Sequence, residues 1–468
     1  MGGVPSELSD VALSPLERLL RGSLGHLILK PWFDATTLRV LTRWYFPLSR
    51  AWAAALAAEG DVARFAEQIA VGRRARALLP ALVRRVRDRW AAYQEADARW
   101  EDAFFGAGPA LAAVEAERLD KAAALMGSRT LFVPMHLDRA VSPVAWTIED
   151  ASSVARRHGR RRDHPETAFA ERMRLDDIQA SRGYRHARGI DGWLRFPPPV
   201  AAAGNTAWAR VSAPEQPGAK RRSPPMPSLV FAHGIGMEPE WWGDARDPFT
   251  GLAGRGLRVI RPEAPWHGRR RLAGTYGGEP ILARGPGGLL DFFHASAVEI
   301  GHLVAWARTT RGGPVAVGGI SLGALTAQLV ACAARHWPPE MRPDALLLVA
   351  PSRSLTAVSF HGSLSRGLGV PEALADAGWS EETTASWLPL LDPIGEPAVD
   401  PDRIVVVLGT FDDVTLAEGG EELIRDWRVP AANVFRAPAG HFTTSLGLSR
   451  DAAPLLRMIA ILEQTPAE

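Results

Sequence analysis

The sequence predicts an α/β protein, a mostly parallel sheet with helices on both faces, preceded by a helical region of its own. Three observations predict it. Up to about Gly127 apolar residues recur at three- and four-residue spacings with almost no strand signal, and from about Ala187 short apolar runs alternate with helical stretches. One of those runs, Pro314-Val-Ala-Val-Gly-Gly-Ile-Ser-Leu-Gly-Ala324, passes from strand to tight turn to helix with a serine at the turn.

In the helical region, from Leu8 onward, the clearest patterns are Thr36 to Glu59 and Asp61 to Trp100. Pro47 is expected to kink or divide the first, because it lacks an N–H and its ring crowds the preceding turn. Gly60-Asp61 reads as a helix stop followed by a new N-cap. Aromatic and basic residues mix between Arg39 and Trp52. Packing against a neighbouring domain is the favoured reading, with membrane-surface contact or self-association through these helices as the alternatives. The run Arg156-Arg157-His158-Gly159-Arg160-Arg161-Arg162-Asp163-His164 reads as a solvated linker, since its histidines lack helical metal-ligand spacing and no cysteine accompanies them. The boundaries expected are a helical domain over 1–185, an extended segment and linker over 186–227, and a core over 228–468 carrying a small cap insertion at about 351–401.

Composition narrows the function classes. With 468 residues and 46% hydrophobic content the chain can bury a large core. A net charge of +2 argues against nucleic acid as a partner. Of the 54 basic residues 51 are arginine, a bias that reads as GC-rich bacterial coding. The single cysteine, Cys332, rules out an intrachain disulfide and fits a reducing compartment. The polar, acidic start MGGVPSELSD is unlike a signal peptide, no apolar run reaches membrane-spanning length, and a cytoplasmic location is the expectation.

In the second region the expected strands are Asn205 to Ser212, Leu229 to Ala232, Arg258 to Arg261, Val315 to Gly318, Ala345 to Ala350, Ile404 to Leu408 and Val434 to Phe435, with a helix over Phe292 to Thr309. In such a sheet functional groups collect at the carboxyl ends of strands. Gly319-Ile320-Ser321-Leu322-Gly323 is a G-x-S-x-G elbow: the glycines remove Cβ atoms that would collide with strand and helix, and Ser321 is exposed at a helix N-terminus. There the Leu322 N–H faces developing negative charge. A second donor is expected from His233-Gly234-Ile235-Gly236, either the Ile235 N–H, which is favoured, or that of Gly236. Gly409-Thr410-Phe411-Asp412-Asp413 places a carboxylate beyond a strand end, Asp412 favoured over Asp413, and Ala439-Gly440-His441 offers a base in a glycine turn. Pro351 to Pro401 exceeds a normal connection and is read as a helical cap including Trp379 and Trp387. Trp241, Trp242 and Trp266 are read as walls of an apolar pocket, and Arg269, Arg270 and Arg271 either as anion contacts or as surface arginines.

The order Ser321, Asp412, His441, with the His-Gly turn upstream, is that of the α/β-hydrolase fold. Together with Pro265-Trp266-His267-Gly268-Arg269 and the glycine-rich loop Tyr276 to Gly288, these motifs resemble the branch typified by abhydrolase-domain-containing protein eighteen, over roughly Ser228 to Leu455. The resemblance implies a serine hydrolase with Ser321 as nucleophile, Asp412 as acid and His441 as base, needing no metal or organic cofactor. Ala324 departs from the second glycine common after the elbow, and its methyl group is expected to narrow the acyl site. The expected function is hydrolysis of a small-molecule carboxylic ester, hydrophobic or lipid-like, through an acyl-enzyme. Thioester, amide or C–C bond cleavage, acyl transfer, and a non-catalytic binding role on the same fold are the alternatives.

Overall fold

The computed structural model describes residues 30–108, 110–215, 225–238, 249 and 251–465. The expected helical pattern from Leu8 to Leu29 and much of the loop between Ala213 and Pro227 lie outside them. The N-terminal helices are α1 (Pro31–Val40), α2 (Phe46–Ala58), α3 (Val62–Gln68), α4 (Leu79–Phe105), α5 (Leu111–Gly127), α6 (Val133–Asp138) and α7 (Ala151–Asp163). The helical run is divided just ahead of Pro47, the second residue of α2. The wider π-helical turn Leu41–Tyr45 joins α1 to α2 just ahead of it, which relieves the crowding of the ring against the preceding carbonyls. After α2, Glu59 adopts a left-handed φ of 50° and the Asp61 side chain caps α3 by accepting from the Ala63 N–H at 2.8 Å.

The sheet has ten strands: β1 (Gln179–Ala180), β2 (Tyr184–His186), β3 (Gly189–Phe196), β4 (Ala207–Ala213), β5 (Ser228–Ala232), β6 (Arg258–Pro262), β7 (Val315–Ile320), β8 (Ala345–Val349), β9 (Ile404–Gly409) and β10 (Val434–Ala437). Their spatial order is β1-β3-β4-β6-β5-β7-β8-β9-β10, with β2 also paired to β3. From β6 to β10 every pairing is parallel, whereas β4 runs antiparallel to both neighbours. The chain turns back between β5 and β7, and β6 lies outside them, so the carboxyl ends of β5 and β7 open beside each other.

Alternate side chains feed two cores. Val230, Val317, Leu346, Leu348 and Val406 point to one face, where α9 (Gly285–Arg311) and α10 (Leu322–Ala333) cover them after the short α8 (Glu279–Ala283). Leu229, Phe231, Ala316, Leu347 and Val405 point to the other, closed by α18 (Ala453–Gln464). Between β8 and β9 the chain forms five short helices, α11 (Leu355–His361), α12 (Ser363–Leu368), α13 (Val370–Asp376), α14 (Glu381–Ala385) and α15 (Leu388–Leu391). Trp379 and Trp387 are buried there, and the Trp379 indole N–H donates to Glu149 O at 2.7 Å, fastening these helices to the segment ahead of α7. The helices α16 (Ala417–Asp426) and α17 (His441–Arg450) follow β9 and β10.

One expectation is corrected. The arginine-rich run at 156–164 is largely the helix α7 rather than a solvated linker: Arg157 reaches Asp291 at 2.9 Å and His158 is buried beside the same carboxylate. The span read as extended segment and linker over 186–227 carries β3 and β4 of the main sheet, β4 lying where a strand over Asn205 to Ser212 is expected. Trp100 of α4 packs edge-on against Trp193 of β3, with centroids 5.4 Å apart, joining the N-terminal helices to that end of the sheet. No described helix is long and apolar enough to cross a membrane.

Buried charge pairs lock the layers together. Arg270 meets Glu299 of α9 through two bonds of 2.7 Å and donates to the carbonyls of Glu263 and Ala203. Arg270→Ala leaves Glu299 buried without its cation, and a loss of about 3–5 kcal/mol is expected in urea denaturation. A change below about 0.5 kcal/mol would show that the pair does not hold α9 in place.

Candidate active site

Strand β7 ends where α10 begins, and Ser321 sits between them with φ 56° and ψ −122°. That conformation is strained for a residue with a side chain and persists only where its surroundings fix it. A Cβ on Gly319 would stand 2.1 Å from Gly323 O, and one on Gly323 would stand 2.2 Å from Ala232 O. Both positions therefore require glycine. The Ser321 N–H donates to Val349 O at 3.0 Å, tying the turn to β8 and leaving the half-buried hydroxyl directed outward at the N-terminus of α10.

His441, the first residue of α17, brings its Nε2 to 2.9 Å from Ser321 Oγ. Its Nδ1 lies 2.8 Å from Asp412 Oδ2. Asp412 is fixed in turn by its own loop: Oδ1 accepts from the Val414 and Thr415 N–H groups at 2.9 and 3.0 Å, and Oδ2 accepts from Thr415 Oγ1 at 2.9 Å. Burial works against ionisation of Asp412, but the imidazole beside it and these donors prevail and hold its carboxyl below the usual range. Burial likewise disfavours a charged His441, and the Asp412 carboxylate outweighs it, so the ring binds its proton more tightly than a free imidazole. Asp413 turns to the surface and accepts from Ser363 Oγ at 2.8 Å.

The turn after β5 is braced by two buried neutral histidines. Nδ1 of His233 faces Gly234 O at 2.8 Å while its Nε2 accepts from the Ala264 N–H at 3.1 Å. Nδ1 of His267 faces Pro265 O at 3.0 Å and its Nε2 accepts from the Gly236 N–H at 3.3 Å. In each ring the nitrogen facing a carbonyl must carry the proton and the other must be bare. Burial keeps both uncharged, bringing His267 down to about 4. The Gly236 N–H is thereby occupied, while Ile235, between Gly234 and Gly236, lines the same cavity as Ser321.

Ser321, Leu322 and Ile235 line one cavity of about 90 Å³. Its other walls are mostly apolar, among them Leu282, Leu325, Leu355, Leu364 and Val414, with Ser359, Ser365, Thr384 and Thr415 as the polar exceptions and much of the surface supplied by α11 to α13. Trp266 does not reach it. That indole is buried against Phe292, and its N–H donates to Ala202 O at 3.3 Å. Trp241 and Trp242 lie outside the described residues. Ala324 is fully buried and takes no part in the cavity wall, so its methyl group does not narrow this space. The three arginines are structural neighbours rather than anion contacts: Arg269 pairs with Glu263 and Asp97, Arg270 with Glu299, and Arg271 lies over Trp52 and Trp90. A larger groove of about 900 Å³ opens between α4 and the β3–β4 end of the sheet, but it contains neither Ser321 nor His441. Among the described residues no group of three or more His, Cys, Asp or Glu is placed to hold a metal ion.

The strand order, the antiparallel β4, the elbow after β7 and the histidine after β10 define an α/β-hydrolase fold. Residues 229–457 match the model of the alpha/beta hydrolase family. No curated protein matches the chain. Similar solved structures include acetyl xylan esterase 1 from Thermoanaerobacterium, 14% identical over 65% of this chain and 95% of that one with a TM-score of 0.41. A hyperthermophilic esterase from Pyrobaculum calidifontis is 15% identical over 67% and 93% of the two chains, with a TM-score of 0.37. An S-formylglutathione hydrolase from Agrobacterium tumefaciens is 14% identical over 61% and 99%, with a TM-score of 0.39.

Sequence reasoning missed Thr415 and the structural use of His233 and His267. Thr415 follows Asp412 by three residues, the spacing at which an aspartate accepts from a backbone N–H ahead of it, and that local signal was available. Gly323→Ala is expected to lose at least about 3 kcal/mol of stability in chemical denaturation, because backbone rather than a flexible side chain opposes the methyl group. A variant within about 0.5 kcal/mol of the parent would show that the turn tolerates the intrusion.

Proposed function

We propose that this protein is a serine hydrolase cleaving carboxylic esters with apolar acyl groups through an acyl-enzyme. The observation that carries the reading is a serine hydroxyl, an imidazole and a carboxylate joined at 2.9 and 2.8 Å and opening onto an apolar cavity. In this reading His441 Nε2 takes the Ser321 proton as Oγ attacks the ester carbonyl, and the oxyanion lies between the Leu322 and Ile235 N–H groups. Asp412 keeps the Nδ1 proton in place and stabilises the imidazolium. The leaving alcohol departs with the proton from Nε2, and water activated at the same nitrogen releases the acid. The motifs shared with the branch typified by abhydrolase-domain-containing protein eighteen support the same assignment of roles.

The cavity sets the acyl group. Its nearly all apolar lining offers no charged partner to an acyl chain. Hydrolysis of p-nitrophenyl esters is therefore expected to favour an aliphatic acyl group over a charged one of the same length. Ser321→Ala should lower kcat by about 10⁴-fold or more. Equal turnover by the folded variant would refute the nucleophile assignment, and an absence of ester turnover in the parent would move the reading to a thioester, amide or C–C substrate.

The pH profile has a definite sign. Activity needs neutral His441, and the neighbouring carboxylate raises the proton affinity of that ring. The acid limb of kcat/KM is expected to have its midpoint above about 6.5, the ordinary imidazole value. A midpoint below it would contradict the His441–Asp412 coupling.

A further inference from the structure

The domain matched to the family begins at residue 229, yet one N-terminal segment grips both halves of the site. Asp34 of α1 is buried against the start of α17. Its Oδ1 accepts from the Phe442 N–H at 2.7 Å and the Thr443 N–H at 3.0 Å, and its Oδ2 accepts from Thr443 Oγ1. A Cβ on Gly440 would stand 2.5 Å from the Asp34 carboxyl carbon, so the glycine ahead of His441 is what lets the carboxylate approach. Eleven residues further on, Tyr45 in the π-helical turn donates its hydroxyl to Gly236 O at 3.1 Å, immediately after Ile235.

We propose that the segment from Asp34 to Tyr45 completes the catalytic centre, with Asp34 as the positioning residue for His441 and Tyr45 as the brace of the Ile235 turn. The inference rests on the serine hydrolase reading above. A carboxylate at a helix N-terminus is favoured by the exposed N–H groups and the helix dipole, and here it fixes the backbone from which the imidazole projects. The contact spans 408 residues of sequence between Asp34 and Phe442, so it forms only when the N-terminal helices dock. Docking and assembly of the relay are then one event.

Asp34 also acts through charge. The carboxylates whose charge reaches His441 are Asp412 foremost, then Asp34 from α1 and the outward-turned Asp413 of the β9 loop, and each favours the protonated ring. Replacing Asp34 by a neutral group is expected to move the acid limb of kcat/KM to lower pH, because less negative charge holds the proton. A purely structural cap would leave that midpoint unmoved.

The test uses the full-length chain and a p-nitrophenyl ester, with Ser321→Ala as the reference. Asp34→Ala removes the acceptor from two N–H groups and a hydroxyl, and kcat is expected to fall about 100-fold with KM within about three-fold. Asp34→Asn keeps a carbonyl oxygen for the two N–H groups while removing the charge. It should recover kcat to within about ten-fold of the parent and still show the lowered acid limb. Asp34→Ala within about three-fold of the parent in kcat would overturn the proposal. If Asp34→Ala fails to fold, Asp34→Asn decides: a reduced kcat with a lowered acid limb supports the proposal, and an unchanged kcat and pH profile overturns it. Turnover in the parent that survives Ser321→Ala would instead sink the hydrolase reading, and the proposal would fall with it.

Discussion

Everything at this site depends on how closely the first turn of α10 lies against the end of β5. Gly323 permits it, since a Cβ there would stand 2.2 Å from Ala232 O, and Gly319 lets the turn itself close, since a Cβ there would stand 2.1 Å from Gly323 O. The approach fixes the strained backbone of Ser321, and that strain turns the hydroxyl away from the sheet rather than into it. It also brings the elbow and the turn after β5 together, a Cβ on Gly234 standing 3.4 Å from that of Ser321, because β5 and β7 are parallel neighbours whose chain connections run outward on opposite sides. Sheet topology therefore supplies the convergence, and the glycines supply the last ångströms.

Around that point the molecule separates charge from apolar surface. The cavity facing Ser321 is walled by aliphatic side chains from the cap and from α8 to α10, while the buried arginines are matched elsewhere: Arg118 to Glu115, Arg270 to Glu299 and Arg269 to Glu263. Two histidines close to the site are held neutral by burial and serve as hydrogen-bond braces, whereas His441, equally buried, is pushed the other way by a carboxylate. Three imidazoles within one fold thus differ in character because of what faces their nitrogens. That difference in partners, more than burial, separates the ring suited to moving a proton from the two suited to holding a turn.

The elbow, the loop after β9 and the glycine turn before His441 were legible because each is written in a few adjacent residues whose spacing has a steric reason. The parallel strands were legible for a related cause: β5, β7, β8 and β9 are buried on both faces and read as unbroken apolar runs. β3 was not legible. Gly189 and Gly192 interrupt it, and Asp191 occupies a buried position made tolerable by Arg210 of β4 and by Tyr184 and His186 of β2, so the alternation of a strand is masked. The arginine-rich helix α7 misled in the same way, since the carboxylates that hold it, Asp291 above all, lie far along the chain. Trp266 failed as a pocket residue because sequence proximity to a strand end does not say which way a side chain turns. Its φ of 64° directs the indole into the core.

The loop after β9 shows how adjacent residues divide a task. Asp412 points inward, buried and saturated by its own turn and by His441, while Asp413 points outward to Ser363, whose N–H also donates to the Asp413 carbonyl at 2.8 Å. Ser363 begins α12, and α12 supplies Leu364 and Leu368 to the cavity wall. One short turn therefore fixes the proton relay through its first carboxylate and the position of the cap through its second. The cap is anchored a second time where the buried Asp392 accepts from the Leu355 N–H at 2.8 Å, at the start of the helix that carries Leu355 and Val358 into the same cavity. Relay and acyl wall are thus referenced to the same strand end. In the proposed reading, a substrate carbonyl placed against Ser321 would find its acyl chain aligned with the apolar space beside it, so orientation comes from the fixed geometry of the loop rather than from ordering of flexible side chains.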